Sequence, residues 1–157
     1  MRFFLSGSEY NNIQSNTTKV RVHLKTGVAE IFEKHQDLMG KVENNIIEIE
    51  SNFENKSEKF LFILQDAVFI VSNKGLDPDS EQQETSVYVY AKKVREINSS
   101  ITIDEVTKEY DAKQLELENE IAKLPEKATR VTSKIILLQD EVEFLQKSLG
   151  ILKNLKK

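Results

Sequence analysis

His23 and His35, the only two histidines, are the residues best suited to acid–base or metal chemistry in a chain that has no cysteine. His35 stands in the stretch "GVAEIFEKHQDLMGKV", Gly27 to Val42, with Glu33 and Asp37 close by. A histidine in that setting is a general base, a metal ligand or part of a shaped loop, and residue types alone leave all three open. Two histidines without a thiolate exclude a histidine-rich or cysteine-rich metal centre, and the missing cysteine removes disulfides and a thiol nucleophile as well. There is no glycine-rich phosphate loop, no HExxH helix and no serine in a GxSxG turn. The many carboxylates fall on alternating strand faces or helical surfaces, where they solvate. The reading is a binding or structural part, not an enzyme, with no catalytic residue, metal or cofactor.

The elements that would position these residues follow from hydropathy. "TKVRVHL" sets Val20, Val22 and Leu24 on one face and Lys19, Arg21 and His23 on the other, as a half-buried strand requires. His23 is then a solvent-facing strand residue. "NNIIEIES", "KFLFILQDAVFIVSN" and "SVYVYAKKV" continue the pattern, with a hairpin turn expected at Gln65–Asp66 and a polar turn over "SNKGLDPDSEQQET", which carries Gly75 and Pro78. Short strands at this spacing predict an antiparallel sandwich or barrel over residues 1–98, taken as a β-sandwich.

From Ser99 the period changes to that of a helix. Thr102 is placed to cap, with Glu105 three residues on, and Ile103, Val106, Tyr110, Leu117, Ile121 and Leu124 make an apolar stripe that stops at Pro125. Val131, Ile135, Leu138, Val142, Leu145, Leu149 and Leu152 then alternate steps of four and three. That is a heptad seam, and the short connection predicts an antiparallel helical hairpin over 99–157. The fold class is α+β. The plain reading of the seam is internal packing of the two helices; the sharper one adds that Ile136, Phe144, Ile151 and Leu155, which lie off it, form a second stripe for a partner chain. The final "LGILKNLKK" reads as a helix end whose cations suit the dipole, with a short amphipathic membrane anchor as the sharper alternative.

The 157 residues are 39% hydrophobic and 31% charged, with a net charge of -4 and both signs interspersed, so no basic field exists for nucleic acid. The opening apolar run is too short for a signal peptide, and no window approaches a membrane span of about 20 apolar residues. The expectation is a chain soluble inside a cell that reaches a membrane only through a partner.

A small β domain followed by a helical hairpin resembles the epsilon subunit of F-type ATP synthases, which mitochondria call delta. "MRFFLSGSEYNNIQ" is similar to that family's opening strand and turn, and "TKVRVHL" to its next strand. "GVAEIFEKHQDLMGKV" matches its loop at Gly27, Ile31, Phe32, His35 and Leu38, "FILQDAVFIV" looks like its strand, turn and strand, and "VYVYAKKVREIN" like its last strand. The resemblance implies a non-catalytic central-stalk (rotor) subunit whose β domain binds a gamma-like shaft. It implies that the loop of Gly27, Ile31, Phe32, His35 and Leu38 contacts a partner, where the family meets a membrane ring. The hairpin would reach alpha- and beta-like head subunits and could restrain rotation, at the inner face of a cell membrane. His35 would then shape a strand connection.

This sequence departs from the family in places. The prolines flanking the histidine are Glu33 and Asp37, the loop's second glycine is Glu30, and the acid after its first glycine is Val28. On the first helix, Ile103 and Asp104 fit an ATP-binding pattern, but its arginine and alanine positions hold Thr107 and Lys108. Without the planar guanidinium, no ATP binding is expected. Two alternatives stand beside the rotor: a divergent ATPase motor uncoupled from a proton channel, such as a gliding motor, and a free-standing β-sandwich and coiled-coil adaptor.

Overall fold

The computed structural model describes residues 1–73, 84–98, 100–125 and 130–155. The chain divides into two compact units, Met1–Asn98 and Ser99–Lys157. The first holds eight strands: β1 (Arg2–Ser6), β2 (Asn11–Gln14), β3 (Thr17–Leu24), β4 (Gly27–Ile31), β5 (Leu38–Val42), β6 (Asn45–Phe53), β7 (Lys56–Ser72) and β8 (Ser86–Ile97). The second holds α1 (Ile103–Ala122) and α2 (Ser133–Leu155). The architecture is a β-sandwich followed by a helical hairpin.

Two long strands make the two layers. β7 pairs with β6 through Lys56–Leu64 and with β5 through Ala67–Val71, while β8 follows it along both stretches. One layer is therefore β2-β1-β8-β7-β5 and the other β8-β7-β6-β3-β4. All ladders are antiparallel except β1 with β8, which is parallel. Inward residues alternate along each strand, and Phe3, Val22, Ile47, Phe62, Phe69 and Val89 meet in one core with at most 1% exposure.

Gln65–Asp66 is not a hairpin turn. β7 runs through it, and Gln65↔Lys93 and Ala67↔Ala91 keep one register on either side. Asp66 alone takes a left-handed φ of 47°. A single such residue kinks a strand without reversing it, and the kink lies where β7 exchanges β6 for β5. A tight hairpin does lie within reach, between β6 and β7 at Glu54 and Asn55, with φ of 47° and 64°, the pair of positive values that a two-residue turn of type I′ needs. The segment with Gly75 and Pro78 lies mostly outside the described residues.

In the second unit, Thr102 caps α1, its Oγ1 accepting from Glu105 N at 3.2 Å. α1 ends at Ala122, ahead of Pro125, because a residue preceding proline is driven out of the helical region. Thr132 caps α2 in the same way, accepting from Ile135 N at 3.3 Å. Leu117, Ile135, Leu138 and Val142 form the core between the helices, with Tyr110 and Leu124 packed against it. Leu145, Leu149 and Leu152 are buried too. Val131 departs from the expected seam: it precedes α2 and is 53% exposed, since the heptad spacing reaches one step past the helix start. Phe144 departs from the expected outer stripe, being buried, whereas Ile136 and Leu155 are exposed. Among the described residues, no helix is long and apolar enough to cross a membrane.

Candidate docking face and its loop

Each histidine is held by a local hydrogen bond. His35 Nδ1 donates to the carbonyl of its neighbour Gln36 at 2.8 Å, and its N–H donates to Phe32 O at 3.1 Å. Both bonds hold the shape of the loop between β4 and β5. His23 Nε2 lies 2.8 Å from Glu48 Oε2 on the strand surface. Among the described residues, no three His, Cys, Asp or Glu side chains converge as a metal site.

The loop is fastened by residues that sequence patterning treated only as turn. Asn73 N donates to Asp37 Oδ1 at 3.1 Å, and Asn73 Nδ2 reaches the same oxygen at 3.2 Å and also the His35 carbonyl. Thr85 Oγ1 accepts from Lys34 N at 2.7 Å and donates to Asn73 Oδ1 at 2.6 Å, while Thr85 N donates to Glu33 Oε1 at 2.9 Å. The Met1 amino group sits 2.8 Å from Glu33 Oε2. Burial acts to raise the Glu33 carboxyl, but the Met1 amino group and the Thr85 donors outweigh it and hold the group below its ordinary range. Glu33 and Asp37, which flank His35 in sequence, are thus the loop's own fasteners. The signal that finds Asn73 and Thr85 is register: Ser72 pairs with Ser86, so the residues just beyond them leave the ladder side by side.

The loop residues expected to meet a partner divide. Ile31 is fully buried in the sandwich core and cannot reach a partner, because β4 turns it inward opposite Val20. Phe32 is 49% exposed, Leu38 is partly exposed, and Gly27, with φ of 143°, takes a backbone that other residues rarely adopt. Met39, absent from that expectation, is 72% exposed.

Met39 ends a row that register alone reveals. Ile13 lies opposite Phe4, Phe4 beside Tyr88, Tyr88 opposite Ile70, and Ile70 opposite Met39. Partners in register share a face, so these five side chains cross β2, β1, β8, β7 and β5 on the outside of one layer, over about 19 Å at the usual strand spacing. Tyr90 and Val68 flank them, and the row itself holds no charge; Arg2 and Lys41 stand at the corners of the two flanking rows. The outside of the other layer is different. Arg21 Nη2 reaches Glu30 at 2.6 Å and its Nη1 reaches Glu48 at 3.5 Å, while Glu50 lies 3.2 Å from Lys19 and 3.3 Å from Lys59. These ion pairs occupy the β3, β4 and β6 part of that face, with Lys59 near the start of β7; further along β7, Ile63, which alternates with the core residues Phe62 and Leu64 and lies opposite Ile46, is fully buried.

Comparison with known proteins adds the fold. No family model matches the chain, and no curated protein matches it in sequence. A chain of the Euglena gracilis mitochondrial ATP synthase, in a cryo-EM structure of its OSCP/F1/c-ring in rotational state 1, shares 11% identity at a TM-score of 0.58, covering 96% of this chain and 79% of that one. A chain of the Tetrahymena thermophila mitochondrial ATP synthase central stalk and c-ring is 11% identical at a TM-score of 0.46, covering 95% of this chain and 96% of that one. The Euglena likeness establishes a shared fold across both units; the Tetrahymena one carries no argument beyond it.

Proposed function

We propose that the chain is a non-catalytic rotor subunit of the central stalk of an F-type ATP synthase or a related rotary ATPase, in the role of the epsilon subunit. The observation that carries this reading is the uncharged row from Ile13 to Met39 on one outer face of the sandwich, whose two ends, Ile13 and Met39, are 70% and 72% exposed. An exposed apolar row is a docking surface, and a torque-bearing part needs one broad dry contact. Its partner is a gamma-like shaft, which takes the row. Support comes also from the 96% of the chain that aligns with a chain of the Euglena enzyme. Phe32, Leu38 and the backbone around Gly27 and His35 form a second contact beside the row, held in shape by Asn73 and Thr85. The hairpin serves the head subunits and restrains rotation.

The experiment is purification of a tagged native protein with its stoichiometric partners identified by mass spectrometry, alongside an Ile70→Lys variant. Alpha-, beta- and gamma-like chains in fixed ratio, with the gamma-like chain lost from the variant, support the rotor. Recovery with the head but no membrane ring assigns the divergent motor. Recovery of neither sinks the reading and leaves the adaptor.

A further inference from the structure

β2 is an edge strand without protection. It ladders only with β1 among the described strands, and its sequence, Asn11–Gln14, holds neither charge nor proline. Sheet edges are normally guarded by such residues, since their open main-chain groups template another strand. The other edges follow that rule: β4 carries Glu30, ion-paired to Arg21, and β5 carries Lys41.

The open groups on β2 can be assigned. Hydrogen-bonded and non-bonded pairs alternate along an antiparallel ladder. Gly7 N donates to Tyr10 O at 2.7 Å, so the pairs Ser6–Asn11 and Phe4–Ile13 are non-bonded ones. The N–H and C=O of Asn11 and Ile13 therefore point away from β1 to the free edge. Ile13, 70% exposed, is also the end of the apolar row, so edge and row form one continuous surface.

We infer that the edge of β2 is a strand-addition site, which receives an extended, uncharged segment of the same protein that covers the apolar row; the inference rests on the row being a docking face. Main-chain bonds to Asn11 and Ile13 supply the register. The residue opposite Ile13 is apolar and prolongs the row. Its two neighbours are polar, because they fall beside Asn12 and Gln14, whose amides already form a chain through Gln14 Nε2 to Asn12 Oδ1 at 2.9 Å.

Hydrogen exchange read by mass spectrometry tests this on the free chain and on the tagged native assembly. The amides of Asn11 and Ile13 exchange freely in the isolated chain and slow by about a hundredfold or more in the assembly, together with slower exchange along β5 and β8. An Asn11→Pro variant removes an outward N–H and no ladder bond, so it keeps the wild-type denaturation midpoint and loses partner retention by about tenfold or more. Protection of β5 and β8 with an unprotected β2 edge overturns strand addition and leaves the docking face standing. Protection of neither overturns both. Protection already present in the free chain, with a dimer mass by light scattering, gives the edge to a second copy and overturns the proposal.

Discussion

Phe4 and Tyr88 stack ring on ring, 5.0 Å between centroids and 7° from parallel, across the one parallel ladder of the sandwich. Their pairing has a consequence for the whole face. Parallel neighbours at β1 and β8 join the β1–β2 hairpin to the β7–β8 pair, so Ile13 and Met39, at opposite ends of the layer, come into one row only through these two rings. A surface that draws one residue from each of five strands depends on the register of all four ladders.

Thr85 is the knot of the loop beneath that face. It is 1% exposed, and its hydroxyl serves Lys34 N and Asn73 Oδ1 at once. Thr85→Val keeps the volume and leaves both partners unpaired. The expected loss is about 1–3 kcal/mol, the penalty for orphaned buried groups, measured as a lower urea midpoint with an unchanged slope.

Asp66 tests the kink. Its φ of 47° suits Asp, Asn or Gly but opposes a β-branched side chain. Asp66→Val should cost about 1–3 kcal/mol, and Asp66→Gly should be neutral or slightly stabilising, in the same denaturation series. If the position were a hairpin turn, register across Gln65 and Ala67 would break; nuclear Overhauser contacts between Ala67 and Ala91 check that it does not.

The sequence shows strands where alternation is strict and helices where the heptad holds, and it shows the Thr102 cap outright. Other features escape it. Gln65–Asp66 looks like a turn because polarity marks turns, yet one left-handed residue inside a long strand carries the same mark. Val131 extends a heptad arithmetically beyond the point where Thr132 starts the helix. The row from Ile13 to Met39 draws one residue from each of five strands, so no local window contains it, and only pairing register brings it together. Asn73 and Thr85 hide for the same reason.

Glu50 sits between Lys19 and Lys59, whose hydrogen bonds, Lys19's foremost, hold its carboxyl below the ordinary range despite some desolvation. A carboxylate lowered on folding stabilises the fold above its unfolded pKa, and that contribution is lost as pH falls through the folded value. The stability gap between the wild type and Glu50→Gln is therefore full at neutral pH. It closes in acid, from about pH 4.3, the unperturbed glutamate value, downward. Paired urea titrations from pH 7 to pH 3 measure it; a gap that widens in acid contradicts the assignment.

Absence of ATP binding on α1 is an expectation that follows from the residues at two positions. Thr107, at the arginine position of the ATP-binding pattern that the helix resembles, donates its hydroxyl to Ile103 O at 2.8 Å, so it is already engaged with its own helix. Lys108 brings a point charge without a planar fork. A millimolar ATP titration followed by NMR is expected to leave the α1 resonances unshifted, and specific shifts there would overturn this.

Gly40 is required by packing and not by backbone angle. It carries no positive φ, but a Cβ placed on it would lie 2.5 Å from Phe69 Cε1 and 2.8 Å from Phe69 Cζ. Phe69 has no exposed surface and is held on the core side of β7, so the ring has nowhere to retreat. Gly40→Ala should therefore cost about 1–3 kcal/mol through overpacking. Because β5 pairs only with β7 at this point, the strain falls on the ladder that holds Met39 in the row. The variant should lose partner retention more than its global stability loss explains, and a compensating Phe69→Leu, which clears the clash, should recover part of both. Loss of stability with full partner retention would mean that β5 yields locally without disturbing Met39, and that the row is less rigid than its register implies.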